Sequence, residues 1–121
     1  MRSGLEREIM DRRIEAAVRI IQIESDKSLS IRNMAQRVNL SRWHFTRLFK
    51  AETSISPKHY VRDVRIEKAR ILLRESFLSV KQVANQVGFG DRSHFSRDFK
   101  NECGQSPSDF RRHARTKSYT N

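Results

Sequence analysis

From Asp11 onwards, apolar side chains recur at helical spacing. Ile14, Ala17, Val18 and Ile21 share one stripe, with Ile20 beside it, and predict a first helix from Asp11 to Glu24 that "SDKS" ends. Leu5 and Ile9 extend that stripe upstream more weakly. A short helix follows Ser30, a good N-cap, with Ile31, Met34, Ala35 and Val38 inward. After a turn at "NLS", Ser41 caps a third helix that reaches about Glu52, with Phe45, Leu48 and Phe49 on its inner face. Ser56-Pro57 is an N-cap followed by proline at the first helical position, and opens a long helix to about Glu75. Its apolar positions are Tyr60, Val61, Val64, Ala69, Leu72 and Leu73.

The plan then repeats. Ser79 caps a short helix with Val80, Val83, Ala84 and Val87 inward, "GFGD" is the turn, and a further helix runs from about Arg92 to Glu102 on Phe95 and Phe99. Ser106-Pro107 starts a final helix carrying Phe110. Leu29, Ala35 and Val38 recur as Leu78, Ala84 and Val87 at an offset of 49. One extra residue in the second turn raises the offset to 50, and "HFTRLFKAETSISP" (44–57) returns as "HFSRDFKNECGQSP" (94–107). A duplicated segment implies a duplicated structural unit. The expected organisation is an N-terminal extension over 1–10, a first subdomain over 11–55, a linker helix over 56–76, a second subdomain over 77–114 and a frayed tail over 115–121.

Two short helices joined by a tight turn are a helix-turn-helix candidate, whose second helix needs one packed face and one free polar face. The first unit supplies both. Phe45, Leu48 and Phe49 face in, while Trp43, Thr46, Arg47 and Lys50 form an outward stripe at i, i+3, i+4 and i+7. The second unit's stripe is Ser93, Ser96, Arg97 and Lys100, with Arg92 just before it. Asp98 stands where the first unit has Leu48, so the two cores differ.

Charge sharpens this picture. The net charge is +11, yet residues 1–30 hold six basic and six acidic side chains and cancel. Residues 31–60 hold six basic and one acidic, so the excess sits on the repeated part. A basic surface on a folded unit points to a polyanion, and arginine, which outnumbers lysine here, suits phosphates and guanine edges. The blander reading is a solvated surface. The 121 residues suit one domain or two very small ones, without an apolar run that spans a membrane. The N-terminus lacks the apolar core of a signal peptide, and the single cysteine, Cys103, forms no internal disulfide, so a cytoplasmic location is expected.

The run "VANQVGFGDRSHFSRDFKNECGQSPSDFRR", Val83 to Arg112, resembles the DNA-binding domain of AraC/XylS-type transcriptional regulators. It carries that family's pattern of alanine, glycine-phenylalanine, serine-histidine-phenylalanine, arginine, phenylalanine-lysine, glycine, proline and a closing aromatic-arginine. The likeness covers about Ile14 to Arg112. The first unit matches more loosely, with Asn39-Leu40 where the family has glycine-phenylalanine. The resemblance implies an all-α fold of about seven helices, with two helix-turn-helix subdomains joined by a long linker helix. It implies binding of double-stranded DNA, transcription activation with RNA polymerase as a further partner, and Arg42, Thr46, Arg92, Ser93 and Ser96 as reading positions. Members usually carry a separate sensing or oligomerisation domain. Nothing in these residues can be one, so no small-molecule ligand is expected within the chain, which reads as a stand-alone regulator or as part of a longer one. The nineteen residues from Pro57 to Glu75 span about 28 Å as a helix, near the ~34 Å between successive major grooves on one face of DNA.

Arg47 and Arg97 can each fork onto guanine O6 and N7, against the alternative of a phosphate contact. Trp43, the sole tryptophan, can touch a thymine methyl, against partial burial on a neighbouring helix. Lys50 and Lys100 complete the candidate DNA-binding set. Ser30 and Ser79 can donate to phosphate as well as cap. His44 and His94 lie in separate units without a Cys/His cluster, so neither a metal nor a cofactor is expected. Cys103 reads as a plain small residue at a helix end. No Gly-rich phosphate loop, paired carboxylates or nucleophile-base motif marks an enzyme. A non-specific architectural DNA-binding protein is the alternative; against it, the two stripes are chemically distinct and no apolar wedge loop is present.

Overall fold

The computed structural model describes residues 10–120, which hold seven α-helices and no strand. They are α1 (Arg12–Glu24), α2 (Ile31–Arg37), α3 (Arg42–Thr53), α4 (Pro57–Glu75), α5 (Val80–Val87), α6 (Arg92–Cys103) and α7 (Pro107–Thr120). An Asp or Ser side chain accepts a backbone N–H at the start of all seven, satisfying a donor the helix itself leaves open. Asp11, Ser30, Ser41, Ser79 and Asp91 cap α1, α2, α3, α5 and α6. Ser56 and Ser106 accept from the amides of His59 and Asp109, both at 3.1 Å, ahead of Pro57 and Pro107. At α5 the cap is reciprocal: the Gln82 side chain accepts the Ser79 amide at 2.8 Å. No helix among the described residues is long and apolar enough to cross a membrane.

The chain forms two compact units that divide between Arg62 and Asp63, inside α4. In the first, α1 and α2 pack on α3. Ile14, Ala17 and Ile21 of α1, Met34 and Ala35 of α2, and Phe45 and Phe49 of α3 are buried. Tyr60, at the start of α4, sets its ring edge-on to Phe49 at 5.5 Å. In the second unit Ile66, Ala69 and Leu73 of α4 join Val83, Ala84 and Val87 of α5, Phe89 of the turn, and Phe95 and Phe99 of α6 in one apolar cluster. Phe110 of α7 meets Phe99 edge-on at 5.4 Å, as Tyr60 meets Phe49.

The duplication therefore extends further than the sequence reading has it. Ile14, Ala17 and Ile21 keep the same 3-4 spacing as Ile66, Ala69 and Leu73, and all six are buried. The later part of α4 is the counterpart of α1, and its first residues are the counterpart of the start of α7. The helix expected only to link the units thus supplies side chains to both cores.

Helix α7 runs from Pro107 to Thr120. Arg115 of α7 donates to the Ser76 carbonyl at 2.5 Å, with its guanidinium 4.9 Å from the centre of the Phe77 ring. Arg111 donates to the Leu73 carbonyl at 2.9 Å and to Ser76 at 3.4 Å, so two arginines close the C-terminus of α4. Leu5, Ile9 and the rest of the extension before Met10 lie outside the described residues, as does Asn121.

Candidate nucleic-acid interface

Each unit contains a helix-turn-helix, and both turns close in the same way. The Leu40 amide donates to the Ala35 carbonyl at 2.9 Å, and the Phe89 amide to Ala84 at 2.9 Å. Such a closure needs a left-handed residue just before the donor. Gly88 fills that place in the second turn, with φ 107°. Asn39 fills it in the first, with φ 60°. Asparagine is among the few residues that visit this region readily, so the turn that lacks the family's glycine keeps its geometry. Gly90 is the extra residue of the second turn.

Helices α3 and α6 then present matching faces. Phe45 and Phe49 are buried at i and i+4, as are Phe95 and Phe99, and this fixes what faces outward. Arg42, Trp43, Arg47 and Lys50 are exposed and Thr46 is half-buried. Arg92, Ser93, Arg97 and Lys100 are exposed and Ser96 is half-buried. Thr46 Oγ1 donates to the Arg42 carbonyl at 2.9 Å, which leaves its hydroxyl oxygen as an acceptor. Eight of the ten sequence-predicted residues are thus exposed, four on each unit, with Thr46 and Ser96 half-buried beside them.

Several cations away from the stripes are held in ion pairs: Arg13, Arg19, Arg37, Arg70 and Arg112 by Asp11, Glu15, Glu24, Glu67 and Asp109. The Arg37 guanidinium forks onto Glu24 at 2.7 and 2.9 Å and holds that carboxyl below its usual range. Among the described residues, Arg42, Arg47, Lys50, Arg92, Arg97 and Lys100 form no intramolecular ion pair. Their charge is available to an outside anion.

Trp43 is largely exposed to solvent, at 67%, and the Arg47 guanidinium carbon lies 4.6 Å from its ring centroid. In the second unit Asp98, where the first has Leu48, sits 3.1 Å from Nε2 of the exposed His94. That explains how a carboxylate is tolerated on the inward edge of α6. Cys103 is half-buried against the second core, and Arg70 Nε donates to its sulfur at 3.3 Å.

Two grooves flank the first stripe. One, of about 320 Å³, is lined by Arg32, Ala35, Gln36, Leu40, Ser41 and Arg42. The other, of about 310 Å³, is lined by Trp43, His44, Arg47, Leu48 and Ala51. Arg32 and Gln36 are absent from the sequence-predicted set. Their signal is position: both are exposed on α2, one turn apart and on the side that meets the start of α3.

A sequence model described as a helix-turn-helix domain matches residues 34–113, from α2 into α7. A solved structure from Chromobacterium violaceum, a transcriptional regulator of the AraC-type DNA-binding-domain class, superposes with a TM-score of 0.79 at 28% identity. It covers 85% of this chain and 92% of that one. The chain belongs to the AraC-type helix-turn-helix family. AraC-type likeness extends to the Msm operon regulatory protein of Streptococcus mutans, 38% identical over 94 residues, which are 78% of this chain and 34% of that protein. The chain thus spans about a third of that relative's length. The DNA-binding domain of AdpA, solved in complex with a target DNA, superposes with a TM-score of 0.83 at 26% identity, covering 86% of this chain and 94% of that one.

Proposed function

We propose that the chain is the DNA-reading part of a transcription activator, and that α3 and α6 are two recognition helices reading successive major-groove segments. The observation that carries this reading is the pair of unpaired cationic stripes, matched position by position on two helix-turn-helix units. The AdpA domain bound to its target DNA supports the choice of polyanion. Arg47 and Arg97, mid-stripe, fork onto guanine edges; Lys50 and Lys100, one turn later, meet phosphates. Trp43 offers apolar surface to a thymine methyl, and Arg42, Thr46, Arg92, Ser93 and Ser96 complete the contacts. The stripes differ chemically, so the site is asymmetric. Activation implies RNA polymerase as a further partner.

The test compares Arg97→Ala with Lys100→Ala on a preferred duplex and on its single-base variants. Arg97→Ala loses about 1–3 kcal/mol of discrimination at one base pair, whereas Lys100→Ala weakens all duplexes alike. Equal loss on specific and random DNA for both variants would reduce the chain to a non-specific architectural binder.

A further inference from the structure

The Trp43–Arg47 contact links the only tryptophan of the chain to a candidate base reader. The two residues are i and i+4 neighbours on α3. We infer that Trp43 acts as a positioning residue for Arg47, holding its guanidinium ready for a base edge; this rests on the DNA-reading function proposed above.

The chemistry of the contact favours that role. A guanidinium that lies flat over an indole keeps its N–H donors in its own plane, directed sideways past the ring edge. Stacking therefore leaves the fork free for guanine O6 and N7, unlike a salt bridge, which would occupy it. A free arginine on an exposed helix face samples many rotamers and must lose that freedom on binding. Among the described residues Arg47 has no carboxylate partner to orient it, and the indole ring is the group it lies over. The repeat supplies an internal comparison. Ser93 takes the place of Trp43 on α6, and Arg97 has no ring to stack on at that position. The two arginines are alike in sequence place and exposure but unlike in anchoring. Arg47 should gain from this anchor, and Arg97 should not depend on anything at position 93.

At an exposed site a cation–π contact is worth roughly two- to five-fold in population, which sets the effect to look for. The experiment selects preferred duplexes from a randomised pool with the intact chain, then maps base preferences for Arg47→Ala, Trp43→Leu, Trp43→Phe and Trp43→Leu/Arg47→Ala. Arg47→Ala identifies the base pair that Arg47 reads. Trp43→Leu should lower discrimination at that pair by roughly two- to five-fold. Trp43→Phe, which keeps a ring, should retain most of it. Trp43→Leu should add nothing at that pair once Arg47 is alanine, and preferences at the pair read by Arg97 should not move. In the free protein, Arg47→Ala should change the fluorescence lifetime of Trp43. An unchanged lifetime, or a Trp43→Leu variant that loses affinity for all duplexes while keeping its preference at the Arg47 pair, would overturn this inference alone. Failure of the intact chain to select any duplex would overturn the proposed function and this inference with it.

Discussion

Ser54 and Gly104, fifty positions apart, end α3 and α6 in the same left-handed conformation, with φ 73° and 78°. Each donates its amide to the lysine carbonyl four residues back, Lys50 or Lys100, at 2.9 Å. The first unit tolerates there a side chain that the second does without. A Cβ on Gly104 would meet nothing within 4 Å, so its cost is conformational and not steric. Gly104→Ala should destabilise the chain by about 1 kcal/mol, and Ser54→Gly should be neutral or stabilising by a few tenths. Urea unfolding of the two variants checks the opposite signs.

Much of this architecture is legible in the sequence, for local reasons. Caps at Ser30, Ser41 and Ser79 act within three residues, and the Phe45/Phe49 and Phe95/Phe99 pairs fix a face by helical period alone. What is not legible depends on distant partners. The likeness of Ile66, Ala69 and Leu73 to the α1 stripe is hidden because the loops after α1 and α4 differ in length, which breaks the offset of the later repeat. The docking of Arg115 on the Ser76 carbonyl joins residues that local pattern does not link. The pairing of Asp98 with His94 and the stacking of Arg47 on Trp43 are rotamer choices that spacing permits without requiring.

Arg111 joins α7 to the C-terminus of α4 through the Leu73 and Ser76 carbonyls. Burial, with Arg115 alongside, lowers the pKa of its guanidinium. Arg111→Ala should cost about 1–2 kcal/mol, from lost charge-assisted bonds and unpaired carbonyls. Arg111→Lys should recover only part, because an ammonium does not reproduce the planar fork. Thermal unfolding of both variants measures the difference.

Asp11 caps α1, and its hydrogen bond from the Arg13 side chain lowers its pKa from 3.8 to about 2. The carboxylate is the form that the fold favours. Its contribution is therefore complete above about pH 4 and is lost as the pH falls towards 2. Asp11→Asn keeps a capping oxygen but cannot titrate. Between pH 4 and 2 its melting temperature should fall less steeply than that of the unsubstituted chain, and parallel curves would contradict the linkage.

Spacing between the two DNA segments offers a further check on the proposed reading. If one chain engages both through α3 and α6, inserting about five base pairs between them turns the segments to opposite faces of the duplex. Following them would require bending the DNA, at about 1–6 kcal/mol, so affinity should collapse. A full-turn insertion should fail as well, since α4 is a single helix of 19 residues that cannot lengthen. Recovery at the full turn in a gel-shift series would mean that the two units bind independently.

The most direct test measures affinity of the intact chain for its selected duplex and for a scrambled duplex of equal length and composition, at one physiological salt concentration. A protein that reads base edges with both stripes should prefer the selected site by about a thousand-fold or more. Combining Arg47→Ala with Arg97→Ala should remove most of that preference. Equal affinity for the two duplexes, or a preference that survives loss of both arginines, would contradict the assignment of α3 and α6 as recognition helices.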